Sequence, residues 1–379
     1  MRVSLPTIAL SLVAALAWLS WSAAAADAEA PGVSMITDHG IPPSQGQVPG
    51  QLQLPNQGQF SGQGQFSSQG QFVDQGQYAG PVSDCLPACG SCGPCWTFTA
   101  EALALQRSNT RSQLLFVPFV PTLALHDPLD ADNMNFALGF GPKVSAIRHN
   151  VCGCDFEVAY FQVDGFTAGS ELPGISRMVT DMTSTGLLVN DGMNRYTSAL
   201  YSGELNLRRQ YTDCLTLLAG FRMVELDEHY RGGGVDVFTP TQADSLFTNT
   251  FNHLYGGQIG AEALVFNHGG PLQINALCKA GVFGNAAEQN YLLFSNTGVP
   301  LSTKSYGQAS CLGETGLVAT YALSKHVAFR GSLDAMWLSG VALAPEQISS
   351  VNLRRHTDVV NTSGNVFYYG GGVGLECRF

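Results

Sequence analysis

Cys85, Cys89, Cys92 and Cys95 stand in a CxxxCxxCxxC array, the densest cluster of reactive side chains in the chain. Four thiols this close could hold zinc, carry an iron–sulfur cluster or pair as two disulfides. Zinc knuckles usually part their two cysteine pairs by a longer loop, and none exists here. The N-terminus bears on the choice. Arg2 is the sole charge before an apolar run over 5–19, and Ala24-Ala25-Ala26 precedes Asp27. That is the form of a cleaved export signal over 1–26. An exported chain meets an oxidising compartment, so disulfides are expected, with no metal and no cofactor. Crosslinks to other envelope proteins remain the alternative. Cys152, Cys154 and Cys214 fall in expected short turns at one rim and join the disulfide candidates, with connectivity open. Cys278, Cys311 and Cys377 lie on apolar faces and read as small hydrophobes.

Nucleophilic or metal-assisted catalysis finds little support. The eight histidines fall mostly in turns and loops, and no GxSxG, HExxH or phosphate loop is present. Asp127, Asp130 and Asp132 lack the glycine-bearing pattern of an EF-hand loop. The chain is therefore expected not to be an enzyme, a barrel hydrolase being the weakest alternative.

The remaining charges are ordered by alternation. Glu101, Lys143, Glu157, Glu204, Arg208, Arg222, Glu262, Lys279, Glu314, Arg330, Asp334, Glu376 and Arg378 each sit opposite an apolar face in a run of period two. Period two is the signature of a strand. The terminal segment 366–379, VFYYGGGVGLECRF, shows it well. Phe367, Tyr369, Val373, Leu375, Cys377 and Phe379 form one face; Glu376, Arg378 and three glycines form the other. Apolar outside, polar inside and aromatic at the ends is the pattern of a transmembrane β-barrel strand.

Ten such candidates are read, over 96–102, 133–145, 155–160, 198–208, 215–223, 255–265, 272–282, 310–323, 326–337 and 366–379. Their connections alternate. Residues 148–153, 209–214, 267–271 and 324–325 are short; 107–132, 163–195, 228–249, 286–307 and 339–364 are long. Tight turns at one rim and long loops at the other are expected of an outer-membrane barrel, as is an even strand number. The fold expected is all-β, an antiparallel transmembrane barrel of about ten strands. Composition agrees. Only 12% of the 379 residues are charged, against roughly 25% in soluble domains. No internal apolar run suits a membrane helix. A net charge of −11 argues against nucleic acid.

The organisation expected is a signal peptide over 1–26, a low-complexity spacer over 27–81, a Cys-rich segment over 82–95 and the barrel over 96–379. The spacer carries QGQFSG, QGQFSS, QGQFVD and QGQYAG from Gln57 onward. One aromatic per six residues cannot build a core, so it reads as disordered.

Within the barrel region, Glu204-Leu205-Asn206-Leu207-Arg208-Arg209, Gly220-Phe221-Arg222, 254–262 (LYGGQIGAE) and 280–286 (AGVFGNA) come in an order that resembles the beta barrel porin-7 family of planctomycete bacteria. The resemblance covers about 96–379 and omits the repeats. It implies an outer-membrane barrel with a pore role, and brings no substrate or catalytic residues.

The function expected is an outer-membrane porin or narrow channel for small solutes. Its localisation is the outer membrane of a Gram-negative-type bacterium, and its partners are membrane lipid and the barrel-assembly machinery. The alternative is a closed structural or surface-binding barrel joined to the envelope through the Cys-rich segment. The thirteen charges either line an aqueous path or pair across a filled lumen. Eight-stranded barrels are filled and wide channels need about 16–18 strands, so ten strands stand nearer the filled end. Phe379 is the candidate assembly signal.

Overall fold

The structure is a computed structural model, and it describes residues 95–119, 127–151, 153–182, 186–295, 301–352, 355 and 357–379. The signal peptide, the spacer, Cys85, Cys89, Cys92 and Cys152 lie outside the described residues.

Ten long strands close into an antiparallel ring. They are β1 (Trp96–Arg107), β2 (Gly139–Val151), β3 (Cys154–Met178), β4 (Leu187–Thr212), β5 (Leu215–Asp236), β6 (Ala243–Asn267), β7 (Leu272–Phe294), β8 (Leu301–Ala322), β9 (Val327–Val341) and β10 (Gly364–Arg378). Neighbours in sequence pair with each other, and β10 pairs back onto β1 from Thr97↔Arg378 to Arg107↔Tyr368. In the lower part of this ring every strand is paired on both sides, which is what lets a sheet sit in lipid. The fold is the transmembrane β-barrel that the alternation specifies.

A membrane-spanning strand needs about 9–11 residues. β1, β2, β9 and β10 have 12 to 15. β3 to β8 have 22 to 26. At about 3.3 Å per residue the tall strands run more than ten residues past any bilayer. They build a one-sided crown above the rim that carries the loops.

The alternation explains both halves. On lower β5 the outward residues are Leu217, Phe221 and Met223, all exposed, while inward Arg222 is fully buried. Two residues higher the polarity inverts. Val224, Leu226 and Tyr230 now point inward and are buried, while Glu225, Asp227 and His229 point outward. The same inversion occurs on β6, where Leu254 and Leu246 turn in and His253 turns out. The lower half is inside-out, fit for lipid; the crown has an apolar interior like a soluble protein. Aromatics mark both edges of the apolar band. Trp96, Tyr211, Phe266 and Phe329 stand near the turn rim, and Phe140, Tyr255, Trp337 and Tyr369 near the start of the crown.

Two sequence expectations are corrected. The supposed long loops 163–195, 228–249 and 286–307 are mostly strand. Strand runs to Met178 and resumes at Leu187, runs to Asp236 and resumes at Ala243, and runs to Phe294 and resumes at Leu301. Alternation continues with reversed polarity over 228–232, 244–249 and 286–293, while bulges at 163–166, 172–175 and 190–193 shift it within the first stretch. Second, the strand expected from 133 begins at Gly139. Met134 and Phe136 do not face lipid; they are buried in the crown core.

The described parts of the other two long connections, 108–119, 127–138, 342–352 and 357–363, fold into the crown. Leu114–Pro118 adds a short strand beside upper β3, pairing Phe116 with Met178 where β2 has ended. Leu115, Phe116 and Met134 from the first connection and Leu343, Ile348 and Val351 from the second join one buried cluster with the crown wall.

Candidate functional site: two layers of lumen side chains

Each of the thirteen charges assigned inward makes an ion pair. At the centre, Arg222 lies 3.3 Å from Glu204 and 2.6 Å from Glu314. Lys279 completes the ring at 2.8 Å from Glu204 and 3.9 Å from Glu314. Gln258 and Asn206 supply further donors to Glu204 at 2.8 and 3.0 Å. Toward the turn rim, Arg208 bridges Glu157 at 3.3 Å and Glu262. On the other side Arg330 bridges Glu101 at 2.5 Å and Glu376 at 3.2 Å, and Arg378 meets Glu376 at 2.6 Å. Lys143 and Asp334 pair at 3.0 Å.

Seven acids face six bases in this set, so the layer is nearly neutral. Charges removed from water are tolerated only when paired and hydrogen-bonded, and this network meets that condition. The space left among Glu101, Lys143, Glu157, Glu204, Arg208 and Arg330 is a cavity of about 60 Å³. That holds a few waters at one probe sphere of about 10–15 Å³ each.

The crown layer rests on residues that the alternation reading placed in loops. Arg107 at the top of β1 and Glu228 on β5 form an ion pair with both side chains fully buried. Tyr196 of β4 joins them, accepting from Arg107 at 3.0 Å and donating to Glu228 at 2.5 Å. The guanidinium also lies over the rings of Phe136 and Tyr196, at 4.4 and 4.9 Å. Glu228 further accepts the backbone N–H of Ala344 at 3.0 Å, which carries the connection 342–363 across to the β5 wall. The signal for Arg107 and Glu228 was present in the sequence. Both continue the inward parity of their strands.

The carbonyl of Gly340 accepts from Ser310 at 2.6 Å, from Asn285 at 3.1 Å and from Gln308 at 3.2 Å. Gly340 has φ +82°, and a Cβ there would lie 2.9 Å from the Ala309 carbonyl. A glycine is needed at this point, where β9 leaves the wall and turns inward. Between this connection and β6–β7, the Thr248 and Thr250 hydroxyls and both amide atoms of Gln289 are buried without a hydrogen-bond partner among the described residues.

At the loop rim, Asp130 accepts from Ser112 Oγ at 2.7 Å, Gln113 N at 2.6 Å and Asp132 N at 3.2 Å. Partial burial opposes ionisation, but these bonds hold the Asp130 carboxyl below the ordinary carboxylate range. The acidic cluster is a loop brace.

At the turn rim, Thr97 Oγ1 meets His149 Nε2 at 2.9 Å, and His149 Nδ1 meets Asp155 at 2.9 Å. The order is that of a catalytic triad, but the burial is reversed. Thr97 is 8% exposed, while the Asp155 side chain is 33% exposed. A triad buries its carboxylate and presents its nucleophile. This chain ties β1, β2 and β3 together.

The cysteine expectation is corrected in part. Cys154 and Cys214 carry free thiols, as do Cys278, Cys311 and Cys377. Cys154 opens β3 after the Gly153 turn, and Cys214 sits in the separate β4–β5 turn, so each occupies its own hairpin. Phe379 stands at the seam, where its N–H donates to the Trp96 carbonyl at 2.9 Å and its ring lies edge-on to Phe98.

No protein-family model and no curated protein matches the chain. Among solved structures it is similar to the outer-membrane protease OmpT of Escherichia coli, at 9% identity and a TM-score of 0.44, over 75% of this chain and 96% of that one. It is also similar to the toluene transporter TodX of Pseudomonas putida, at 8% identity and a TM-score of 0.32, over 79% and 93%. A third is the toluene transporter TbuX of Ralstonia pickettii, at 11% identity and a TM-score of 0.32, over 76% and 90%. At these identities the likeness is one of fold.

Proposed function

We propose that this protein is an exported outer-membrane barrel, closed at rest, whose crown acts as a structural or surface-binding element rather than as a general diffusion pore. The observation that carries this reading is the double closure. A paired charge layer fills the membrane half, and two inward connections fill the crown. The short turns then face the periplasm and the crown faces outward. The resemblance to the porin-7 family supports the same envelope location and remains part of the proposal. Barrel-assembly machinery and membrane lipid are the partners this reading requires.

A second reading, a narrow gated channel for small solutes, is favoured by one observation. The unpartnered Thr248, Thr250 and Gln289 groups beside the 342–363 connection form a polar strip of the kind water occupies. Hydrolase chemistry has less support, given the reversed burial of Thr97 and Asp155. Liposome swelling with small sugars separates the first two readings. Proteoliposomes that exclude arabinose support the closed barrel; swelling at rates proportional to protein content sinks it.

A further inference from the structure

The outer wall of the membrane half carries a groove that the lumen network does not explain. It has a volume of about 690 Å³ and runs from Cys154 on β3 across β4 to β7 near the turn rim. Its shape follows from the registers. In one row across the strands, Arg209 is beside Leu217, then Ala261, then Cys278. In the next, Leu207 is beside Ala219, then Ile259, then Ala280. Leu207, Leu217 and Ile259 stand as ridges, all well exposed. Ala261, Cys278 and Ala280 form a floor between them. Next to Ala280 comes Gly313, where a Cβ would meet nothing within 4 Å, so the low ground continues onto β8.

Only one end of the groove carries an outward charge. Arg209 is exposed on the outer face, one row from the turn rim, and two residues before the exposed Tyr211. None of the ion pairs among the described residues includes it. Its neighbour Arg208 points inward and is paired with Glu157 and Glu262. An apolar channel leading away from a free guanidinium at the aromatic girdle is complementary to a lipid whose phosphate sits at the interface. Arginine binds phosphate oxygens bidentately, and a chain pressed into the floor fills what would otherwise be a packing defect against lipid tails.

We propose that this groove is a specific site for one anionic phospholipid of the inner-facing leaflet, with its phosphate on Arg209 and one acyl chain along Ala261, Cys278 and Ala280. The proposal rests on the membrane-spanning reading of the barrel.

Native mass spectrometry of the folded full chain, released from mixed phosphatidylglycerol and phosphatidylcholine nanodiscs, tests it. The wild type is expected to retain one phosphatidylglycerol in preference to phosphatidylcholine. Arg209→Gln should lower that retention about fivefold, since one arginine near an anionic surface contributes about 1 kcal/mol. Ala261→Phe should abolish it by filling the floor, on a wall where an added aromatic meets only lipid. Equal retention in the wild type and Ala261→Phe overturns the proposal, as does a wild-type dimer that Ala261→Phe converts to monomer. Quenching of Trp337 by brominated lipid is measured on the same samples. Its absence would refute the spanning reading itself, whereas quenching without lipid retention would refute the groove alone.

Discussion

Asn252 on β6 and Ala342 at the head of the 342–363 connection exchange two hydrogen bonds, Asn252 Nδ2 to the Ala342 carbonyl at 2.8 Å and the Ala342 N–H to Asn252 Oδ1 at 2.7 Å. Both residues are fully buried. One side chain therefore satisfies a donor and an acceptor of a connection that would otherwise enter the crown with unpaired backbone groups.

Asn252→Ala should leave those two backbone groups buried and unpaired, at about 1–3 kcal/mol each. The barrel should stay folded, because the wall ladder does not use the side chain. Hydrogen exchange over 342–350 should rise by at least tenfold while β6 and β7 stay protected. Unchanged exchange over 342–350 would show that the connection is held elsewhere.

Arg222→Met removes the one guanidinium shared by Glu204 and Glu314, leaving Lys279 alone between two acids. Breaking a buried ion network from one side costs about 3–5 kcal/mol. The midpoint of urea unfolding should fall accordingly. Restoring charge balance with Arg222→Met and Glu314→Gln together should recover part of the loss. A double variant no better than the single one would deny the coupling.

Glu346 lies in the buried turn Pro345–Ser350. Burial pushes its carboxyl above the ordinary carboxylate range, against weaker help from Arg111. A carboxyl with a raised folded-state value binds its proton more tightly in the docked connection than in the free one. Its share of docking stability is therefore full below the ordinary carboxylate range and is lost as pH rises through the raised value. Limited proteolysis within 342–363 should be slower near pH 4 than near pH 7 by more than in Glu346→Gln. Identical pH ratios in the two proteins would contradict this.

Phe379 caps the β1–β10 seam through its main chain and its contact with Phe98. Deleting Phe379 should lower the heat-modifiable, membrane-inserted fraction in cells, while Phe379→Tyr retains it. Undiminished insertion after deletion would remove its role as an assembly signal.

The lower half of the barrel was legible because its alternation is marked by charge. Lys279 or Arg222 between apolar neighbours leaves little doubt about which face meets lipid. The crown was not legible by the same rule. Past Met223 and Tyr255 the period of two continues, but the apolar residues move to the inner face, so a search for apolar-out alternation stops there. Arg107 and Glu228 were assigned to loops for that reason, although each keeps its strand's inward parity. Reading parity rather than polarity would have carried β5 and β6 past Met223 and Tyr255, whereas on β3 and β4 bulges at 163–166 and 190–193 shift the parity itself. The inward folding of Met134 and Leu343 had no local signal, because it depends on the space between the tall β3–β8 wall and the short strands beside it.

The lumen layers make the most exposed claim, that the resting barrel does not conduct. Planar-bilayer recording of the refolded, heat-modifiable full chain measures it directly. The two closed layers predict a silent bilayer at moderate voltage in 1 M salt, with insertion confirmed by protease protection. A steady open current from the wild type, at unit conductance proportional to salt, would contradict the account.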